Sequence, residues 1–486
     1  MRVTVSFLLL LALLAPRRAD VRVVRAGDDL QAALNAARAG DEIRLEPGAT
    51  FTGNFVLPVF EGRAAVTVRT GLPDAELPPP NQRVTPAGAG RFARIVSPNR
   101  SAAVRTAPGA HHWRLIALDF PATGIAGGDI VQIGDGSAAQ SRLAQVPHDI
   151  DLDRLYIHGD PQSGQKRGIA LNGRAVTIRN CHISDIKAAG VDAQAIAGWN
   201  GPGPFTIENN YLEASGEVIL FGGGDPAIPQ LVPTDVVVRG NHITRPMAWR
   251  GTTWQIKNLF ELKNARHVRV EGNLIENNWL AAQPGYAILF TPRNQGGRCP
   301  WCVVEDVELA GNVVRNTSAG VNILGHDSPG TSGQTRDIRI HDNLFTGITT
   351  RLGGNGWGVL VGDGPRDLVI EHNTFEFDGT TLLYVYGSPR ISGFRFSGNA
   401  APHGTYGING ASASTGTLTF LRFFDNPVVT GNWLSGGASS RYPAGNRFDT
   451  PFDPATAAPA GANVARLRAM ADTIPRGAGA VTSSTR

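Results

Sequence analysis

The sequence predicts an all-β solenoid, one chain wound into stacked coils behind a short N-terminal capping helix. Three observations carry this. A phrase recurs nine times from about residue 170: a short β-branched run, then Gly or a polar residue, then Asn, then another apolar run. Its Asn residues are Asn180, Asn210, Asn241, Asn273, Asn312, Asn343, Asn373, Asn399 and Asn432, spaced 26 to 39 residues apart. Units of nearly constant length that each bury only one face must stack on their neighbours. Within each unit apolar and polar residues alternate at period two, the pattern of a strand, and no helical periodicity lies between units. An Asn between two strands suits a tight bend, because it tolerates left-handed backbone and bonds its own main chain. Stacked, such Asn residues would form a ladder.

In chain order, Met1-Arg2 and the apolar run Val3–Ala15 read as a secretory signal ending near Ala19; thirteen residues are too few to span a bilayer. Ala26 to Asp41 reads as a short amphipathic helix, with Asp28 or Asp29 as N-cap and Gly40 as stop. Glu42 begins a strand. Residues 71–92 are Pro-rich and read as a surface loop. The repeat then runs to about 435, with Asp153 marking an earlier, degenerate turn. The expected division is a signal over 1–19, a solenoid over 20–450, and a terminal cap or flexible tail over 451–486.

Composition narrows the function. Lys plus Arg number 45 against 41 Asp plus Glu, a net charge of +4, so no nucleic-acid surface is expected. Charged residues make up 18%, too few for a disordered chain or a coiled coil. Three Cys do not make a disulfide framework. Cys299-Pro-Trp-Cys302 has the spacing of a redox pair, but no helix follows to lower a thiol pKa, so a loop-closing disulfide is the preferred reading. Cys181 reads as a small buried hydrophobe. Only four basic residues are Lys (Lys166, Lys187, Lys257 and Lys263). Codon bias explains that asymmetry, yet a retained Lys marks a place where an ammonium is wanted.

The phrase, its spacing and the N-terminal helix resemble the right-handed parallel β-helix of the pectin-lyase-like superfamily, over about residues 24–435. The resemblance implies three strands per coil, with an Asn-bearing turn between the second and third. It is specific for fold and not for activity, since this architecture hosts lyases, hydrolases, epimerases and adhesins.

With the Asn as register, the first strand of each coil falls at 169–172, 191–194, 217–221, 259–263, 286–290, 321–324 and 359–362. Insertions follow this strand at 196–204, 222–233, 291–302 and 325–336, and precede it at 244–255, 277–285 and 346–356. Equivalent insertions stack on one face of a solenoid, so two walls would flank the exposed side of strand one. Alternation turns Phe260 and Leu262 inward and Glu261 and Lys263 outward. Candidate catalytic residues are therefore Lys263, Glu261, Lys257, Arg293 and His326. Candidate substrate-binding residues are Asp192 and Asp327, with Trp254, Trp279 and Trp301 offering rings to sugars.

Two function classes remain open. One is an exported enzyme acting on a polysaccharide, with β-elimination on a uronic-acid polymer as the sharpest form. By analogy with lyases of this fold, Lys263 or Lys257 would be the base, and Arg293 or a bound Ca²⁺ would neutralise the sugar carboxylate. Glycoside hydrolysis would pair Glu261 with Asp192 or Asp327. The other class is a non-catalytic carbohydrate-binding or adhesin-like solenoid. The expected partner is a polysaccharide, acidic in the lyase reading, and the protein is expected to be a secreted, periplasmic or cell-surface monomer. Asp225, Asp327 and Asp363 could offer oxygens to Ca²⁺, but none has the spacing of a dedicated loop.

Overall fold

The computed structural model describes residues 19–475, except 123, 125, 126, 328, 329, 458 and 459. The expected signal, apart from Ala19, and the polar end beyond 475 lie outside the described residues.

Strands pair in parallel with their counterparts in the next coil, building long sheets of 12, 14 and 13 strands among the described residues. This is the expected right-handed parallel β-helix, with three strands per coil. One coil shows the plan: Phe260–Leu262 in the 12-stranded floor sheet, Ala265–Glu271 in the second sheet and Leu274–Asn278 in the third. Equivalent side chains therefore stack as columns. Val236, Val268, Val307, Ile338 and Leu368 pair in register along the second sheet and are all buried in the core. Phe345 and Phe375 stack with ring centroids 4.7 Å apart.

The ladder forms, but its register differs from the one read off Asn180. In each coil the left-handed residue is the one before the ladder Asn: Gly240 (φ 62°), Gly272 (φ 61°), Gly311 (φ 64°), Asp342 (φ 54°) and His372 (φ 52°). The Asn itself supplies its amide, which donates to the next Asn Oδ1 at 3.0 Å from Asn241 to Asn273 and 2.9 Å from Asn312 to Asn343. Asn180 (φ 57°) is the left-handed residue of its own coil, and Cys181 occupies the ladder position. The Cys181 N–H donates to Asn210 Oδ1 at 2.8 Å, and its thiol is fully buried. Asn180 Nδ2 donates to Asp153 Oδ1 at 2.9 Å, so the degenerate turn at Asp153 leads directly into the ladder.

Helix α1 (Leu30–Ala36) starts at Asp29, whose side chain accepts from the Ala32 N–H at 2.9 Å. It buries Leu30, Ala33 and Leu34 against the first coils, which would otherwise expose core. At the far end, α2 (Thr417–Phe423) lays Phe420 and Phe423 on the core. The last helix, α3 (Val464–Thr473), runs along the side of the rod instead, with Val464, Leu467 and Ala471 packed on Leu274, Val313 and Leu344. Residues 71–92 are bound more closely than a free surface loop: Leu77, Val84 and Phe92 pack with Ile116, and the Val84 N–H donates to the Asn180 carbonyl at 2.9 Å. Cys299 and Cys302 form a disulfide, with no helix at the motif.

Candidate functional site

The floor sheet has the strands expected of it, with one shift. The strand placed at 191–194 runs Gln194–Gly198, so Asp192 stands in the connection before the sheet rather than on it. Phe260 and Leu262 enter the core and Glu261 faces the other way, as alternation requires. Glu261 is nevertheless 0% exposed, because its neighbours close over it. Lys263 Nζ lies 2.8 Å from Glu261 Oε1, and Asn258 Nδ2 donates to Glu261 Oε2 at 3.0 Å.

Around Glu261 the coils assemble a balanced charge cluster. Lys257 Nζ sits 2.6 Å from Asp192 Oδ2 and 3.3 Å from Glu217 Oε1, and Gln194 Nε2 donates to Glu217 Oε2 at 2.9 Å. Arg245 is fully buried, donating to Asn278 Oδ1 at 2.8 Å and to the Asn258 and Gly216 carbonyls at 2.7 and 2.8 Å. Burial presses Lys257 toward its neutral amine, but the carboxylates of Glu217 and Asp192 outweigh it and hold its pKa above the ordinary lysine value. Glu217 is raised, first by burial and then by the charges of Glu261 and Asp192. Burial, partly offset by the charge of Glu217, lowers Arg245 to about 9.

Lys263 and Arg293 stand on successive coils, joined by a hydrogen bond of 2.9 Å from the Arg293 N–H to the Lys263 carbonyl. Gly222 (φ 96°) makes the approach to Lys263 possible, since a Cβ there would lie 2.8 Å from Lys263 Cβ. Asp327 Oδ1 accepts from Arg293 Nη1 at 2.8 Å, and its other oxygen from the Asn294 N–H at 2.8 Å. Asp327 is thus a buried positioner of Arg293 rather than a ligand for substrate. His326 lies in the connection after the strand Ala319–Leu324 and faces Asp363 of the next coil, whose carboxyl burial pushes up.

Both walls are internally packed. After the floor sheet, Asp225 accepts from the Gly296 and Arg298 N–H groups at 3.0 and 2.9 Å, and Asn294 Nδ2 donates to the Thr331 carbonyl at 2.9 Å. Before it, Trp249, Ile256, Trp279 and Leu352 form one apolar cluster. Trp279 is only 2% exposed, so it builds the wall and offers no ring to a sugar. Trp254 is half-buried, with Lys187 Nζ 5.4 Å from its ring, and Trp301 is half-buried and donates to the Leu231 carbonyl at 3.1 Å. The stacked pair Trp357 and Tyr384, with centroids 4.7 Å apart, is a half-buried aromatic surface that the sequence reading missed.

Glu261 Oε1 is met by the Lys263 ammonium, whereas the buried Asn258 Oδ1 has no hydrogen-bond donor. The carboxylates of Asp192, Glu217 and Glu261 are each paired with a lysine ammonium, so they are not gathered as a cation site. Asp225 and Asp327, two of the three Asp residues proposed for Ca²⁺, are committed to the loop contacts above.

A family profile described as a right-handed beta helix region matches residues 167–355. No curated protein sequence matches the chain. Among solved structures, the chain is similar to a mannuronic acid specific polysaccharide family 6 lyase from human gut microbiota, at 13% identity and TM-score 0.54, over 94% of this chain and 99% of that one. It is also similar to the PL6 family alginate lyase AlyGC, at 15% identity and TM-score 0.53, over 88% of this chain and 53% of that one. At these identities the likeness is one of fold.

Proposed function

We propose that the protein acts on a polysaccharide, cleaving a uronic-acid polymer by β-elimination on the outer face of the floor sheet. The observation that carries this reading is the placement of Lys263 and Arg293 on successive coils, one beside a buried carboxylate and the other held by one. The two solved structures above are named as lyases, one of them specific for mannuronic acid, which supports a uronate as substrate.

In this reading Lys263, which faces one carboxylate where Lys257 faces two, acts after giving up its ammonium proton and takes the proton from the carbon beside the sugar carboxylate. The carbon–hydrogen electrons form a carbon–carbon double bond as the glycosidic carbon–oxygen bond breaks, and the departing oxygen takes a proton. Arg293, held by Asp327, would neutralise the substrate carboxylate or protonate that oxygen. Lys257 stays charged between Asp192 and Glu217, which suits it to charge neutralisation and not to the role of base. Glu261 is buried and ion-paired with Lys263, so the hydrolase pairing of Glu261 with Asp327 or Asp192 lacks an accessible acid.

The test compares wild type with Lys263→Ala on soluble polyuronides. Loss of turnover with retained polymer binding supports Lys263 as base. Binding by wild type without turnover, across polymannuronate, polyguluronate and polygalacturonate with and without Ca²⁺, would favour a binding solenoid instead.

A further inference from the structure

In the second sheet one residue near the start of many strands adopts left-handed backbone: His112, Asp149, Ala175, Asp235, His267, Asp306, Asp337 and Asp367, with φ between 49° and 56°. Asp and His are among the side chains that tolerate this geometry, so their presence there needs no ligand to explain it. The residue just before this position is Arg174, Thr234, Arg266, Glu305, Arg336 or Arg366 in the later coils, but His111 and His148 in the two coils of interest. Three of the chain's 11 His residues thereby meet at one place. His111 pairs in register with His148 across adjacent strands, their rings stacked 5.2 Å apart.

We propose that His112, His148 and Asp149 form a binding site for a divalent first-row transition metal of the Zn²⁺ class, clamping two neighbouring coils. Their donor atoms all lie within 4.8 Å of one another. Asp149 Oδ2 is 2.6 Å from His148 Nδ1 and 3.8 Å from His112 Nε2. A tetrahedral ion with bonds of about 2.1 Å holds its donors roughly 3.4 Å apart, so small side-chain rotations suffice. His111 Nδ1 lies 2.9 Å from His112 Nδ1, and with the His112 Nδ1–H donating across this contact its Nε2 lone pair is left for the ion. His111 is itself held by Phe60, whose ring centroid is 5.0 Å away. Two imidazoles and one carboxylate suit Zn²⁺ and poorly suit Ca²⁺. The site stands on a different sheet from Lys263 and four to five rungs, roughly 19–24 Å, along the rod.

The test uses untagged full chain stripped with chelator and titrated with Zn²⁺ calorimetrically, with Co²⁺ absorption as a second reading. The expected result is one saturable equivalent, weakened at least tenfold in His148→Ala and in the isosteric variant Asp149→Asn. His111→Ala should weaken it roughly tenfold through lost orientation. No saturable uptake by wild type overturns the proposal. So does uptake that survives in the His112→Ala/His148→Ala double variant and disappears in Glu217→Gln, which would place the ion in the groove.

Discussion

Lys263 and Lys257 differ in what surrounds them, and the proposed chemistry depends on that difference. Lys263→Ala should lower turnover about 10²- to 10⁴-fold, the usual range for a positioned proton-transfer group, with polymer binding kept. Because the base works only as free amine, wild-type kcat/KM should rise as pH increases; a rate that falls above neutrality would exclude this role. A second residue-scale prediction concerns Glu276, which burial pushes up but which His242 and Arg315, at 2.8 and 2.5 Å, bring down to about 2. A carboxylate held below its unfolded value, about 4.3, stabilises the fold above that pH and loses the contribution as pH falls toward 2. Glu276→Gln should therefore cost about 2 kcal/mol at pH 7 and clearly less at pH 3, measured by denaturant unfolding at both. Lys263 and Arg293 were legible in the sequence because Lys is rare and the Asn phrase gives the register. Glu217 and Arg245 were not, since their importance comes from burial between coils roughly 30 residues apart, which no local pattern records. The ladder was misread by one residue at Asn180 for a related reason: backbone tolerance and side-chain bonding, both properties of Asn, are divided here between two adjacent positions.

At the scale of elements, the ladder and the walls carry the structure that the site needs. Asn312 accepts from the Asn273 amide and donates to Asn343 Oδ1 and the Val270 carbonyl, all inside the rod. Asn312→Ala leaves those groups unpaired and should cost about 3 kcal/mol, read from chemical denaturation. Trp279 fills the wall before the floor sheet, so Trp279→Ala should raise KM more than it lowers kcat while reducing the melting temperature. Helix α3 contacts the rod through one face only. Leu467→Ala should expose the helix to limited proteolysis with little change in global unfolding, as expected of a peripheral unit. The paired insertions announced both walls, because equivalent junctions must stack in a solenoid. Which aromatic rings remain open to a ligand could not be read that way: Trp279 turns into its wall, while the pair Trp357 and Tyr384 is brought together by coil stacking across 27 residues (384 minus 357).

Taken whole, the molecule is one rod whose sheets of 12, 14 and 13 strands set side chains from successive coils in register, and that regularity turns distant residues into a cluster. No helix among the described residues is long and apolar enough to cross a membrane. The length that would ordinarily suggest several domains is used for repeated coils, and the apolar columns form a core cluster extending from Val24 to Tyr442. Fold was readable at this scale because repetition writes the same physical constraint many times; activity is written once, in a few outward residues. The most direct test is therefore chemical. Purified protein is incubated with polymannuronate, polyguluronate and polygalacturonate, with and without Ca²⁺, while ultraviolet absorbance of unsaturated chain ends is followed alongside reducing-end release. The account predicts that both signals rise together on at least one polymer and vanish in Lys263→Ala. Reducing ends without the absorbance, or neither signal on any polymer, would contradict it.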